Sequence, residues 1–536
     1  MPRNSYAKMS ELLNSSLADR TERFQVVPGR FFFFVAAVLL LVAGGALRVY
    51  RLGDRSLWYD EAVTANGSRG TFLQVLEETR HYSAPIIHPY ILYLAEKAGN
   101  GPVVARAPSV LASLLAILVM LALVRAKVNP IAALFSAAIL SFSASQIRYA
   151  QEVREYSLCV LVAAGLIFCL FRWEAEGSRR GHPILLYAVL FVAPLVQYGL
   201  VFFGFAILST VVLRLLLSRD SRFRVAHAVI AAASLAAGGM LSFFLTLRYQ
   251  FKPGGTPWYL APQYFDRKTM SLLHFLFTNS FQLLRFLMPG HVVKLLFIVA
   301  AVIFCIGQLI ARKVDLITLL LLTSLSITMG AAVARLYPYG GVRQCLFLAP
   351  VLALFAGVVF SDLLQRLKGP ARPVVTAAVM ALVVGSLCRG TLRDSPYKEF
   401  EDTKTILREL AKSIGPNDQV WVNHDAVDAF KFYQGERDPR FIYGKFHVDA
   451  REYTPELLRS FDQNSDRLWL VFSHLEQSSD RAEEKLIVNS LPPRWEVHSV
   501  VAPTNAELYV AYRRSPTQTL APVQTIVPST RDLDTH

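Results

Sequence analysis

"FFFFVAAVLLLVAGGALRVYRLGDRSLWYDEA", residues 31–62, runs without a break from an apolar stretch to an adjacent acid pair, Asp60 and Glu61, framed by Trp58 and Tyr59. A bilayer core takes ~20 helical residues, fewer when the ends snorkel, so 31–47 reads as a spanning helix. Trp and Tyr collect at membrane–water interfaces, which puts the acids at that boundary. The fold therefore has to place two carboxylates where the hydrocarbon ends.

Composition extends this reading to most of the chain. With 53% hydrophobic and 18% charged residues and a mean hydropathy of +0.37, 536 residues are too apolar for a soluble domain of that size. Further apolar segments lie at 104–124, 131–145, 156–171, 183–196, 199–215, 226–247, 292–310, 315–335, 345–361 and 373–390. The expected fold class is a polytopic α-helical membrane protein with about 11 spans. A net charge of +15 would suit nucleic acid, but the Lys and Arg fall between apolar segments, the pattern of membrane topology, and no nucleic-acid partner is expected.

Orientation follows from the same charges. Alternate connections read "RAK" at 125–127, "RWEAEGSRRGH" at 172–182, "RLLLSRDSRFR" at 214–224, "ARK" at 311–313 and "RLKGPAR" at 366–372. Basic loops stay in the cytoplasm, so these five and the N-terminal segment 1–30 are expected inside. The other set, a large first loop 48–103, 146–155, 248–291, 336–344 and everything after 391, is expected outside. No small-residue cleavage site follows the first run, so it reads as a retained anchor. A bacterial inner membrane is the expected location. "IIHPYILYLAEKAG" at 86–99 and "LLHFLFTNSFQLLRFLMPG" at 272–290 are apolar but short or interrupted by charge, and read as interfacial helices.

The composition changes near 392. "DQVWVNHD" and "RLWLVFSHL" have strand character, "AVDAFKFYQG" and "RAEEKLIVNSL" helical character. A small soluble α/β domain over 392–514 is expected on the outer side, followed by a disordered tail, 515–536. The five cysteines, Cys159, Cys169, Cys305, Cys345 and Cys388, lie in or beside apolar segments without metal-ligand spacing and read as packing residues.

Adjacent residues on a helix point about 100° apart, so Asp60 and Glu61 do not form a dyad sharing one proton. Either one carboxylate faces a reaction centre while the other orients it, binds a divalent metal or holds a basic residue, or "YDEAV" opens a short helix whose amide end favours acids. Two further outer segments add cations and tyrosines: "SQIRYAQEVREYS" at 145–157, with Arg148, Glu152, Arg154 and Tyr156, and "RLYPYGGVRQ" at 335–344, with Arg335, Tyr337, Tyr339 and Arg343. Guanidinium forks match phosphate oxygens. A carboxylate beside arginines at a bilayer surface suits group transfer from a lipid-linked phosphate. Those arginines would equally suit lipid headgroups or the neighbouring acids Glu152 and Glu155.

In their order along the chain, "RLGDRSLWYDEA", "HPYILYL", "RAPSVLAS", "RYAQEVREYSL" and "YPYGGVRQCLFLAP" resemble landmarks of the C-superfamily membrane glycosyltransferases, which include protein O-mannosyltransferases and lipid A aminoarabinose transferases. The resemblance covers about 31–390. It implies an enzyme that moves a sugar, hexose or pentose, from a polyprenyl-phosphate donor to a hydroxyl of a lipid, glycan or protein acceptor. It also implies that Asp60 is the essential first-loop aspartate and Glu61 its neighbouring acid. Arg154 and Tyr156 match the family's "RxY", Arg343, with Tyr339, lies in the donor-phosphate loop, and His88 is on the acceptor side, where Tyr90 replaces the second proline of "HPP". A polyprenyl phosphate leaves without a proton, so one base, Asp60, suffices and inversion is expected. A lipid or glycolipid transporter would also be polytopic, but it calls for ionisable residues at mid-span, and here charges gather at the segment ends. A membrane scaffold displaying the C-terminal domain would have no need of the acid pair.

Overall fold

The computed structural model describes residues 30–513, apart from 82–83, 177–182, 218–223, 251–257, 312–313, 436–437, 446–451, 453–454, 456, 458–464, 466 and 477. The N-terminal segment before residue 30, parts of the basic loops at 172–182, 214–224 and 311–313, and the tail lie outside the described residues. The chain divides into two compact units, Met1–Glu399 and Phe400–His536, eight residues past the boundary the composition suggests.

The first unit is helical. Around the acid pair it contains α1 (Arg30–Val49), α2 (Tyr59–Gly67), α3 (Phe72–His81), α4 (Ile87–Glu96), α5 (Pro102–Lys127), α6 (Pro130–Phe142), α7 (Ala144–Ala150) and α8 (Tyr156–Glu176). It continues with α9 (Ile184–Val196), α10 (Leu200–Leu217), α11 (Val225–Gln250), α12 (Leu272–Leu287), α13 (His291–Ile310), α14 (Leu316–Val333), α15 (Arg343–Arg366, with Arg343–Leu348 a 3₁₀ helix) and α16 (Arg372–Asp394). Among the described residues nine of these are long and apolar enough to cross a bilayer: α1, α5, α8, α10, α11, α13, α14, α15 and α16. The chain is an integral membrane protein of polytopic, mostly helical architecture.

Two of the expected spans take a different form. The segment read as 131–145 is a helix pair, α6 and α7, bent by 59°, so much of the expected loop 146–155 is helical. The segment at 183–196 is a helix of only 13 residues. The stretches at 86–99 and 272–290 form α4 and α12, which are shorter than a span. Cys305 is exposed, unlike the packing role expected of it, because α13 turns much of its apolar surface outward, Leu295, Val302 and Ile306 included.

The core sits where α5, α6, α8 and α15 meet, around Phe135, Ile167, Leu354 and Val359, all fully buried. α15 is covered nearly all round, with 83% of its apolar window buried. Small residues let it approach α6: a Cβ on Gly357 would collide with the Ala132 carbonyl and the Ser136 hydroxyl. Without a hydrophobic drive between helices in lipid, such close packing supplies much of the association energy.

The second unit is a five-stranded sheet, order β2-β1-β3-β5-β4, built from β1 (Gln419–Val422), β2 (Phe441–Tyr443), β3 (Arg467–Ser473), β4 (Trp495–Val501) and β5 (Ala506–Arg513). β1 runs parallel to β2 and β3, while β5 is antiparallel to β3 and β4. The continuous apolar run "LWLVF" suits β3, a central strand covered on both faces. Among the described residues helices α17 (Thr403–Ser413), α18 (Val427–Gln434) and α19 (Ser478–Asn489) accompany the sheet, and the unit is α/β as its composition indicates.

The α6–α15 contact yields a test. Gly357→Leu forces backbone apart at a point with no slack and should cost about 1–3 kcal/mol, read as a lower thermal midpoint of the purified protein in detergent. Gly165→Leu, where a Cβ meets nothing within 4 Å, should leave the midpoint near that of the wild type.

Candidate functional site

The acid pair opens α2, with both carboxylates in its first turn. That agrees with a helix start, and the two side chains go in different directions.

Glu61 is buried and meets the fully buried Arg106 of α5 in a two-pronged pair, Arg106 Nε to Oε1 at 2.9 Å and Nη2 to Oε2 at 2.8 Å. Its Oε1 also accepts from the Val153 amide at 2.9 Å. Arg106 uses its remaining donors on three carbonyls, Leu52 at 2.8 Å, Arg55 at 3.2 Å and Ser56 at 3.0 Å. Of the sequence alternatives for the second acid, the geometry is that of a carboxylate holding a basic residue. Sequence reading missed Arg106, because its "RAPS" setting looks like the start of a span; an arginine one turn inside an apolar helix was the available signal.

Asp60 points the other way. Its Oδ2 accepts from Arg343 Nη2 at 2.8 Å, and both side chains keep about a fifth of their surface exposed. Arg343 also lies over two rings, Trp58 at 5.2 Å and Tyr156 at 5.6 Å. Arg154 stands over the Tyr156 ring at 5.9 Å, donates from Nη1 to Thr64 Oγ1 of α2 at 3.2 Å, and has Glu155 Oε2 at 3.5 Å from Nε. Residues from three separated segments, Trp58–Thr64, Arg154–Tyr156 and Arg343, thus share one cluster. Tyr156 packs edge-on against Tyr149 of α7 at 5.3 Å.

His88 is buried in α4, and neither ring nitrogen has a hydrogen-bond partner among the described residues. Burial first, and the charge of Arg154 second, lower its pKa to about 3, so the ring is neutral at physiological pH. Arg154 is buried, which opposes its charge, but Glu155 and Asp60 among others outweigh this and raise its pKa. Glu152 lies beneath the cluster with both oxygens buried and without a hydrogen bond among the described residues, 3.7 Å from Arg148 Nε. Burial lifts its pKa to about 7, with Glu61 adding to the rise and Arg148 opposing it.

The remaining expected residues lie elsewhere. Tyr339 is fully buried and its hydroxyl pairs with Ser280 of α12 at 2.9 Å. Tyr337 receives a hydrogen bond from Gln197 Nε2 at 2.6 Å and donates to the Gln344 carbonyl at 2.9 Å. Both tyrosines brace the loop that carries Arg343. Arg335 sits at a left-handed backbone position with φ of 59°. Both oxygens of Glu61 are held by Arg106, and Asp60 faces away, so the pair offers a metal no shared face. No group of three or more His, Cys, Asp or Glu suited to a metal occurs among the described residues.

Comparison with known proteins bears on the fold and the family. The family model described as dolichyl-phosphate-mannose-protein mannosyltransferase matches residues 83–243. ArnT from Cupriavidus metallidurans bound to undecaprenyl phosphate shares the fold at a TM-score of 0.55 and 13% identity, over 90% of this chain and 98% of that one. The apo form of the same protein aligns at 0.53 and 14%, over 88% and 97%. No curated protein matches by sequence. The family match takes in three of the five motifs, "HPYILYL", "RAPSVLAS" and "RYAQEVREYSL", and the shared fold extends over 90% of the chain.

The Glu61–Arg106 pair makes a prediction that separates it from Asp60. Removing one partner strands a buried charge, so Glu61→Gln and Arg106→Met should each cost roughly 3–5 kcal/mol. The double variant Glu61→Gln/Arg106→Met should recover part of that loss. Asp60→Asn, at a part-exposed pair, should cost about 1 kcal/mol or less. Thermal unfolding of the four proteins in detergent measures the coupling.

Proposed function

We propose that the protein transfers a sugar from a polyprenyl-phosphate donor to an acceptor hydroxyl at the outer face of the membrane, with inversion, and that Asp60 is the general base. The observation that carries the proposal is the 2.8 Å contact between Asp60 and Arg343, which sets a proton acceptor beside a phosphate-type cation at one end of a membrane bundle. The family match and the shared fold support the reading.

In the proposed step the acceptor oxygen attacks the anomeric carbon as its proton passes to Asp60, and the bond from that carbon to the phosphate oxygen breaks. The leaving phosphate gathers charge as it departs. Arg343 and Arg154 are the groups to neutralise it, since preorganised guanidinium donors stabilise developing charge more than ground-state charge. Before donor binds, Arg343 rests on Asp60; a phosphate would compete for that guanidinium and release the carboxylate as a base. Glu61, locked on Arg106, positions α2 and makes no contact with the reacting atoms. A divalent metal would have to take Asp60 without Glu61, and an arginine already occupies the place of a counter-ion there. The acceptor is a lipid, glycan or protein hydroxyl, with neutral His88 on its side of the site, and the setting is a bacterial inner membrane with the C-terminal domain outside.

Two measurements test this. Asp60→Asn keeps shape and removes the base, so transfer should fall by ~10² to 10⁴ while donor affinity stays within a few-fold; Arg343→Ala should instead weaken donor binding by about one to three orders of magnitude, and Arg343→Lys should restore part of it. Wild-type transfer by Asp60→Asn would remove the base from the mechanism. For topology, a cysteine at position 425 in a cysteine-free background should react with impermeant maleimide on intact cells and one at 178 should not; the reverse pattern overturns the outer-face assignment.

A further inference from the structure

A second concave surface lies between the start of α13 and the end of α16, and it shares none of its lining residues with the Asp60 cluster. It is a groove of about 780 Å³ bounded by His291 and Val292 on α13 and by Leu382, Gly385, Arg389 and Arg393 on α16. Small residues create it: a Cβ on Gly290 would strike the Ser386 carbonyl of α16 and one on Gly390 the backbone of Pro289 and Gly290 just before α13, and Ser386 Oγ accepts from the Val293 amide at 3.1 Å. The helices touch there and part above the contact.

The walls and the rim differ in chemistry. Val292 and Leu382 are exposed, at 43% and 48%, on two helices long and apolar enough to span, so the walls open toward lipid tails. The rim is cationic. Arg393 donates to His291 Nε2 at 3.1 Å and pairs with Asp394 at 3.2 Å. Arg389, one turn away and exposed, makes no hydrogen bond or ion pair among the described residues. Lys294, a turn into α13, is buried with its ammonium 5.6 Å from the Phe281 ring. Against these three fixed cations stands one acid, Asp394. An unpaired guanidinium near the end of a span, above an apolar wall, complements a phosphate attached to acyl chains.

We propose that this groove binds an anionic glycerophospholipid, with its phosphate at Arg389 and Arg393 and its chains along Val292 and Leu382. No carboxylate faces Arg389 as Asp60 faces Arg343, so the groove is a holding site and not a second reaction centre.

Two substitutions probe the two halves of the site without disturbing the bundle. Arg389→Gln removes the unpaired charge. Gly385→Leu fills the groove, since a Cβ at Gly385 meets nothing within 4 Å and leucine favours a helix over glycine. Delipidated full-length protein is titrated with phosphatidylglycerol, phosphatidylcholine, undecaprenyl phosphate or inorganic phosphate, and bound lipid is counted by native mass spectrometry. We expect phosphatidylglycerol to be preferred over phosphatidylcholine, and its affinity to fall roughly five- to tenfold in Arg389→Gln, the share of one basic residue near a lipid surface. Gly385→Leu should lower the affinity as well, and inorganic phosphate should not compete. Equal binding of the two phospholipids, affinity unchanged in either variant, or a groove-dependent adduct formed only by undecaprenyl phosphate or displaced by free phosphate would overturn the proposal. Unchanged thermal midpoints in both variants verify that the fold is intact.

Discussion

The buried pair of Glu61 and Arg106 is the constraint around which this end of the bundle is arranged. Five donors of one guanidinium are divided between a carboxylate on α2 and three carbonyls of the segment after α1, and the carboxylate reaches on to the amide of Val153. The segment Leu52–Ser56, the start of α2 and the backbone at Val153 are thereby fixed to the first turns of α5. A charge pair out of water is stable only when its remaining hydrogen-bonding capacity is filled, and here backbone groups that would otherwise be buried without partners do the filling. Asp60 owes its position to this arrangement: with Glu61 anchored inward, the next side chain around the helix, about 100° away, is turned toward Arg343.

The division of labour within the acid pair follows from helix geometry alone. One carboxylate is sequestered in an environment that fixes its partner permanently. The other stays part-exposed beside a cation that also rests on the Trp58 and Tyr156 rings. Arg343 is thus held by one ion pair and two aromatic faces, contacts that a phosphate could exchange without unfolding anything. The same sequence dipeptide supplies a fixed strut and a replaceable contact.

Much of the architecture was legible because hydropathy and helix length are coupled in a bilayer. The segments read as 104–124, 292–310 and 373–390 are α5, α13 and α16, lengthened at their ends, and "DQVWVNHD" and "RLWLVFSHL" contain β1 and β3. The bend between α6 and α7 was not legible, since no proline or glycine marks it and composition does not report direction. In the site, Asp60, Arg154, Tyr156 and Arg343 come together as their charge and placement suggested. Tyr339 does not join them: a loop rich in Tyr and Gly does not say which ring faces a ligand and which braces the loop. Arg106 escaped notice because one charged residue hardly lowers the hydropathy of a 26-residue helix.

The bend between α6 and α7 has an electrostatic side. Where α6 stops, the carbonyls of Leu140, Ser141 and Phe142 lose their helical amides. The structure meets them with Arg48, from Nη2 to Leu140 and from Nη1 to Ser141, and with the Thr391 hydroxyl to Phe142. The negative end of one helix dipole is therefore closed by a cation near the end of another helix. Arg48 is fully buried, and so, like Arg106, it is spent on closing polar groups inside the bundle and is not presented to lipid headgroups or water.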